Sequence, residues 1–256
     1  MREELRKEKA ERALAEYGQL LKDARGPIRD PECSECNDTG SITEKQSWSA
    51  DQARPCPFCS TRLRAETLQR ISGLNEDERA IRLIDISTTA GATDKMLVKA
   101  RRFLIKRSGI FTLWGGSGNG KTLVLQAIVN ECLEQNVTAV YTTFFELVGY
   151  VRAAFKDRSE SALQRVERFQ SVPVLCIDEF DKVKETDWVE ELETAIIDKR
   201  YRDGLAGLCG TVIAMNNDPA TLPAWIYSRL RDGRNSILCN TDADMRPLME
   251  DEVPDA

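Results

Sequence analysis

The residues best suited to chemistry stand in the run LWGGSGNGKT, residues 113–122. Glycine loses more backbone entropy on folding than any other residue, so Gly115, Gly116, Gly118 and Gly120 are tolerated together where something must approach the bare backbone. With Ser117, Asn119, Lys121 and Thr122 they fit G-x-x-x-x-G-K-[ST], the pattern of a phosphate-binding loop. In such a loop the backbone N–H groups and the positive end of the following helix converge on the β- and γ-phosphates. Lys121 adds a mobile cation and Thr122 offers a hydroxyl to Mg2+. Farther on, Asp178 and Glu179 end the apolar stretch VPVLCIDEF. Asp178 can hold the Mg2+ shell, while Glu179 can orient and deprotonate a water for in-line attack on the γ-phosphorus. The adjacent Asp-Glu pair, with neither N-K-x-D nor D-x-x-G after the loop, points to an ATP hydrolase and away from a small GTPase. Asn216 closes a third apolar stretch, GTVIAMNND, with an amide that can bond the attacking water or the γ-phosphate. The plain alternatives are a solvated strand end for the acidic pair and an Asn-Asp turn before Pro219.

A second constellation is made of sulfur. Cys33 and Cys36 form one C-x2-C, residues 37–55 intervene, and Cys56 and Cys59 form another. Two such turns can close a tetrahedral four-cysteine zinc site, which would be structural because four thiolates leave no open position. In a reducing cytosol two disulfides are the weaker alternative, and a redox C-x-x-C would need a βαβ setting that is missing around these residues. The chain contains no histidine. That absence excludes Ser-His-Asp and Cys-His nucleophilic schemes and leaves any metal site to cysteine and carboxylate. Cys132, Cys176, Cys209 and Cys239 each stand in apolar stretches and read as buried thiols.

These groups need elements to hold them. Residues 110–114, IFTLW, read as a short buried strand that enters the glycine loop, and KTLVLQAIVNECLEQN leaves it at helical length. TAVYTT is β-rich, FFELVGYVRAAF returns to helical spacing, and residues 172–177 form a continuous apolar run like a strand covered on both faces. SILCN reads as the last strand, after a helix ending in WIYSRLRDG with Arg229 and Arg231; Arg246 follows in DADMRP. The alternation predicts an α/β fold, a parallel sheet flanked by helices whose ligand crevice lies at the carboxyl ends of the strands. At 256 residues the chain has room for such a domain and a smaller module. Without a run of 18 apolar residues or an apolar leader, it reads as cytoplasmic, with no membrane contact. The net charge of −6 argues against nonspecific coating of nucleic acid, while allowing a local basic groove.

Taken in order, GGSGNGKT, VLCIDEF, IIDKRYRDG, TVIAMNND and SRLRDG resemble the AAA+ ATPases. Within them the likeness is to the bacterial replicative helicase loaders of the DnaC and DnaI kind and their relatives, the IstB transposition ATPases. The resemblance implies that residues 115–122 are Walker A, that Asp178 and Glu179 are Walker B, and that Asn216 is sensor 1, although Ala-Met-Asn stands where Thr-Ser-Asn is usual. It also implies that Arg229 is the arginine finger and that Arg246 stands at the sensor 2 position, in a P-loop NTPase with a reduced C-terminal lid. The cysteine module is similar to the zinc-bearing helicase-docking domain of those loaders. The expected organisation is a charged helix over 1–25, a four-cysteine zinc module over 26–60 and a helical linker over 61–98, read from the residues, then the AAA+ domain over 99–248 that the resemblance covers and an acidic tail over 249–256. Its cofactors are ATP, Mg2+ and Zn2+. The resemblance implies a loader that binds a replicative DNA helicase and single-stranded DNA and assembles with its own copies when ATP-bound. Candidate DNA contacts are Lys156, Arg158, Arg165 and Arg168 beside Phe155 and Phe169, with a solvated helix face as the alternative because Asp157, Glu160 and Glu167 are interleaved. Two other readings are an IstB-like regulator binding duplex DNA and a transposase, and a zinc-containing adaptor that uses ATP as a slow switch.

Overall fold

In a computed structural model of the chain, the described residues are 33, 36, 41–44, 52–56, 60–86, 91–155, 160–184 and 186–246. The helix expected over residues 1–25, the tail over 249–256, Cys59, Lys156 and Arg158 lie outside them. Strands β1 (Ser41–Glu44) and β2 (Gln52–Pro55) pair as an antiparallel hairpin, with Ser41 opposite Pro55. Helix α1 (Ser60–Ile71) and a 3-10 turn at Glu78–Ala80 precede helix α2 (Ala92–Lys106). Then come β3 (Gly109–Gly115), α3 (Lys121–Glu134), β4 (Ala139–Thr143), α4 (Phe144–Ala153), α5 (Ala162–Ser171) and β5 (Val174–Asp178). The order closes with α6 (Asp187–Leu205), β6 (Gly210–Met215), α7 (Ala224–Leu230) and β7 (Ser236–Asn240).

Strands β3 to β7 form one five-stranded sheet in the order β4-β5-β6-β3-β7, with every neighbouring pair parallel. Its strands are near-continuous apolar runs because helices cover both faces. On one face, Phe111, Leu113, Val174, Cys176, Val212 and Ala214 pack against α2 and α3 through Met96, Leu97, Val124 and Ile128. On the other, Ile110, Leu175, Ile177, Ile213 and Met215 meet α4, α5, α6 and α7 through Leu147, Phe169, Ile196 and Ile226. The apolar run starting at Val172 enters the sheet only at Val174, since Pro173 has no N–H to give a ladder; its carbonyl instead accepts from Gly210 at 2.8 Å. The register brings Thr143 beside Asp178, Trp114 beside Met215 and Gly115 beside Asn240, so the carboxyl ends of all five strands meet along one edge. Capping boxes fix where two helices begin: Thr143 with Glu146 starts α4, and Ser161 with Gln164 starts α5.

At the amino edge of the sheet Arg200 is wholly buried. Its guanidinium donates to the carbonyls of Phe169, Val172 and Gly210 at 2.8, 2.9 and 2.5 Å and to Thr211 Oγ1 at 2.8 Å. The cation thus satisfies carbonyls left over at the end of α5, where the helix dipole is negative, and ties that end to β6. Arg200→Met removes the donors and leaves those carbonyls buried and unmet. It should cost about 3–5 kcal/mol of stability in denaturant unfolding. A loss under ~1 kcal/mol would show that water reaches these carbonyls.

The structure corrects the proposed DNA-facing set. Phe169 is 2% exposed and packs edge-on against Tyr150, and Arg165 is 5% exposed beneath the same ring, donating to the Tyr150 carbonyl. Both serve the core, because the amphipathic α5 turns this side inward. Arg168 is half-exposed and paired with Glu160, whereas Phe155 is exposed. Cys132, Cys176 and Cys209 are buried as expected, but Cys239, on edge strand β7, is only half-buried.

Candidate active site

The loop between β3 and α3 turns on glycines that no other residue could replace without strain. Gly115 has φ +135°, and a Cβ there would stand 2.0 Å from the Asn240 carbonyl oxygen; Gly118, at φ +75°, lies against the Asp244 carboxylate. Asn119 and Asn240 exchange side-chain to backbone bonds of 2.9 Å, which ties the loop to the end of β7. Lys121 begins α3 and is 6% exposed; its ammonium donates to the carbonyls of Gly115 and Gly116 at 2.8 and 2.6 Å and to Asn119 Oδ1 at 3.0 Å. Burial lowers the Lys121 pKa, and the nearby carboxylates of Asp178 and Asp181 oppose that shift.

Two strands away, β5 delivers Asp178, 5% exposed, to the same edge. Its Oδ2 accepts from Thr122 Oγ1 at 2.7 Å and Tyr141 Oη at 3.1 Å, and its Oδ1 accepts from the Glu179 N–H at 2.8 Å. Burial raises the Asp178 pKa, while these three donors pull it back down. The Thr122 hydroxyl and the Asp178 carboxylate make an all-oxygen donor set, which fits the hard Mg2+ ion.

Glu179 adopts φ +52°, a left-handed conformation that costs a non-glycine residue about 1–3 kcal/mol and persists where the surroundings over-determine it. Here they do: the Phe180 N–H is held by the Ala214 carbonyl at 3.0 Å, and Lys182 Nζ lies 2.5 Å from Glu179 Oε1. Asp181 in the same turn accepts the backbone N–H groups of Asn216 and Asn217 at distances down to 2.8 Å, stapling the end of β6 to the end of β5. Sequence reasoning missed Tyr141, Asp181 and Lys182. For the last two the signal was a charged turn directly after an apolar strand.

A cavity of ≈ 400 Å³ unites these groups. Its wall contains Ser117, Gly118, Asn119, Gly120, Lys121, Thr122 and Leu123 from the loop and α3, with Asp178, Glu179, Lys182, Met215, Asn216 and Arg246. Gly115 and Gly116 lie behind this wall, their carbonyls accepting from Lys121. Arg246 reaches it because the segment after β7 crosses the loop, with the Met245 N–H donating to the Gly118 carbonyl at 3.0 Å. Arg229 stands apart. Its backbone carbonyl accepts from Asn235 Nδ2 at 2.7 Å, and Asn235 Oδ1 accepts from the Ile110 N–H at 2.8 Å, which places the arginine beside the amino end of β3.

Earlier in the chain, the sulfurs of Cys33, Cys36 and Cys56, the last directly after β2, lie within 4.8 Å of one another, and all three residues are buried. Buried, converging thiols make a soft donor set of the kind that suits Zn2+. No helix among the described residues is long and apolar enough to cross a membrane.

Residues 111–235 match the model of the AAA family, ATPases associated with various cellular activities. Several solved structures share the fold. DnaI superposes with a TM-score of 0.53 at 22% identity, covering 68% of this chain and 94% of its own. The DnaC helicase loader superposes at 0.55 and 17%, covering 64% and 99%. The replication initiator DnaA bound to AMPPCP and single-stranded DNA superposes at 0.56 and 16% over 65% of this chain, which spans about half of that initiator's length, 50%. Among curated proteins none matches.

Proposed function

We propose that the chain is an ATP-dependent helicase loader acting in DNA replication, built around an ATPase domain in the segment, residues 111–235, that matches the AAA family. The observation that carries the ATPase half is the single cavity in which the glycine loop, Lys121, Thr122, Asp178, Glu179, Asn216 and Arg246 meet. Lys121 grips the β- and γ-phosphates, aided by the loop N–H groups at the start of α3. Bound Mg2+ would neutralise charge on the phosphates beside Thr122 and Asp178. Glu179 takes the proton of the attacking water, and the Asn216 amide holds that water in line. The loader half rests on the resemblance of the motifs to the loader family. The shared fold with DnaI and DnaC and the thiol cluster ahead of the ATPase domain are consistent with it. The N-terminal module grips a replicative helicase, and ATP-bound copies assemble around single-stranded DNA. Co-purification with the replicative helicase of the same host tests this. Recovery of a transposase instead would favour the transposition reading, and ATP turnover undetectable even with DNA and partner present would favour the switch.

The same reading assigns zinc to Cys33, Cys36, Cys56 and Cys59. Structural zinc binding is worth about 10–16 kcal/mol, ample for a module with so small a core. Metal analysis of the full chain should find one zinc, and a Cys33→Ser, Cys36→Ser double variant should lose it while its ATPase domain keeps its thermal transition. Full zinc in the double variant would place the ligands elsewhere.

A further inference from the structure

Behind the proposed magnesium ligands stands a residue that neither the motifs nor the family likeness singles out. Tyr141 lies on edge strand β4, opposite Cys176 and two residues before Thr143, the partner of Asp178. Side chains two apart on a strand share a face, so the Tyr141 ring points along the same side of the sheet as Asp178, and its phenol reaches Asp178 Oδ2 at 3.1 Å. The ring is 9% exposed and packed in the core that holds Cys176 and Val129. Its backbone is clamped from outside: the Tyr141 N–H donates to the Ser72 carbonyl at 2.7 Å. Gly73, at φ +78°, lies so close that a Cβ there would stand 2.0 Å from the Tyr141 carbonyl oxygen. The phenol therefore has a fixed origin and a single direction.

We propose that Tyr141 is a positioning residue for magnesium-dependent nucleotide binding, holding the Asp178 carboxylate in the rotamer that faces Thr122. This rests on the proposed role of Asp178. Oδ2 takes both side-chain donors, Thr122 and Tyr141, and Oδ1 takes the Glu179 N–H, so the carboxylate is held at both oxygens. Without the phenol, Thr122 alone orients Oδ2, and Thr122 is the group whose own oxygen must serve the metal. Partners that orient metal ligands typically control about 10–100-fold in metal affinity.

The test is Tyr141→Phe in the full chain, which removes one oxygen and keeps the ring in the core. Binding of a fluorescent ATP analogue is titrated with Mg2+ and repeated in EDTA, with Lys121→Ala as the control for the phosphate grip. The half-saturating Mg2+ concentration should rise about 10-fold, affinity in EDTA should stay within about 2-fold of the parent, and hydrolysis should recover at high Mg2+. Equal loss of affinity with and without Mg2+, or an unchanged Mg2+ midpoint, would overturn the inference and leave Tyr141 a packing residue. If the phenylalanine variant precipitates, Tyr141→Met fills the slot with a flexible apolar chain, and the same two midpoints decide. Mg2+-stimulated binding by the parent chain separates the outcomes: its absence would remove the assignment of Asp178 itself, whereas its presence with an unshifted Tyr141→Phe removes this inference alone.

Discussion

Lys121→Ala is expected to abolish nucleotide binding, whereas Glu179→Gln should bind ATP as tightly as the parent and lose hydrolysis by about 10²–10⁴-fold. The division follows from where each group sits. Lys121 is buried at the start of α3, and its ammonium already bonds to two loop carbonyls and Asn119. Removing it leaves those acceptors unmet and removes the one loop side chain that can follow the phosphates. Glu179 lies at the cavity wall with its carboxylate half-exposed, its position set by the left-handed backbone and by Lys182. Glutamine keeps the shape and the backbone turn but cannot take a proton from water. Equilibrium binding and single-turnover hydrolysis measured on the two variants separate the roles. Equal loss of ATP affinity in both would show that Glu179 grips phosphate and that the proton goes elsewhere.

The parts of this site that were legible in the sequence are those written locally. A glycine cluster between an apolar strand and a helix announces a phosphate loop within ten residues, and a run such as VLCIDEF carries its acidic pair to a strand end by its own periodicity. What could not be read were the consequences of strand order. Tyr141 and Asp178 are 37 residues apart, and they meet only because β4 pairs with β5 in one register. One residue of slip would turn the phenol to the other face of the sheet. Arg200 stands in IIDKRYRDG, a motif noticed for its likeness to a family, yet its work as a buried donor depends on the ends of α5 and β6 arriving beside it. The burial of Arg165 and Phe169 is illegible for a related reason: on a short helix of mixed charge, spacing alone does not say which side faces the core.

Arg229 lies outside the cavity altogether. It is tied to the amino end of β3 through Asn235, and the glycine loop opens from the other end of that seven-residue strand. At about 3.3 Å per residue the two are roughly 20 Å apart, beyond the reach of an arginine side chain. In its own chain the guanidinium pairs with Asp198, donates to the Trp225 carbonyl at 2.7 Å, and lies 5.3 and 5.9 Å from the rings of Trp225 and Tyr201. If the site is completed between subunits, as the arginine-finger reading of Arg229 implies, copies stacked head to tail bring this amino edge against the next subunit's cavity. Arg229 then leaves Asp198 for the γ-phosphate of its neighbour. An arginine supplied in this way is typically worth about 10³–10⁵ in rate, whereas a half-exposed ion pair with no other duty is worth almost nothing kinetically. Arg229→Ala should therefore lose hydrolysis while retaining nucleotide binding. Mixed with Lys121→Ala chains, which are inactive for a different reason, it should regain part of the activity, because an intact loop from one chain meets an intact arginine from the other. Arg231, exposed at the end of α7 beside Tyr227, is the fallback donor, so the decisive variant carries both changes. Parent-level turnover by Arg229→Ala, Arg231→Ala, independent of protein concentration, would eliminate the shared site and make each chain a self-sufficient ATPase.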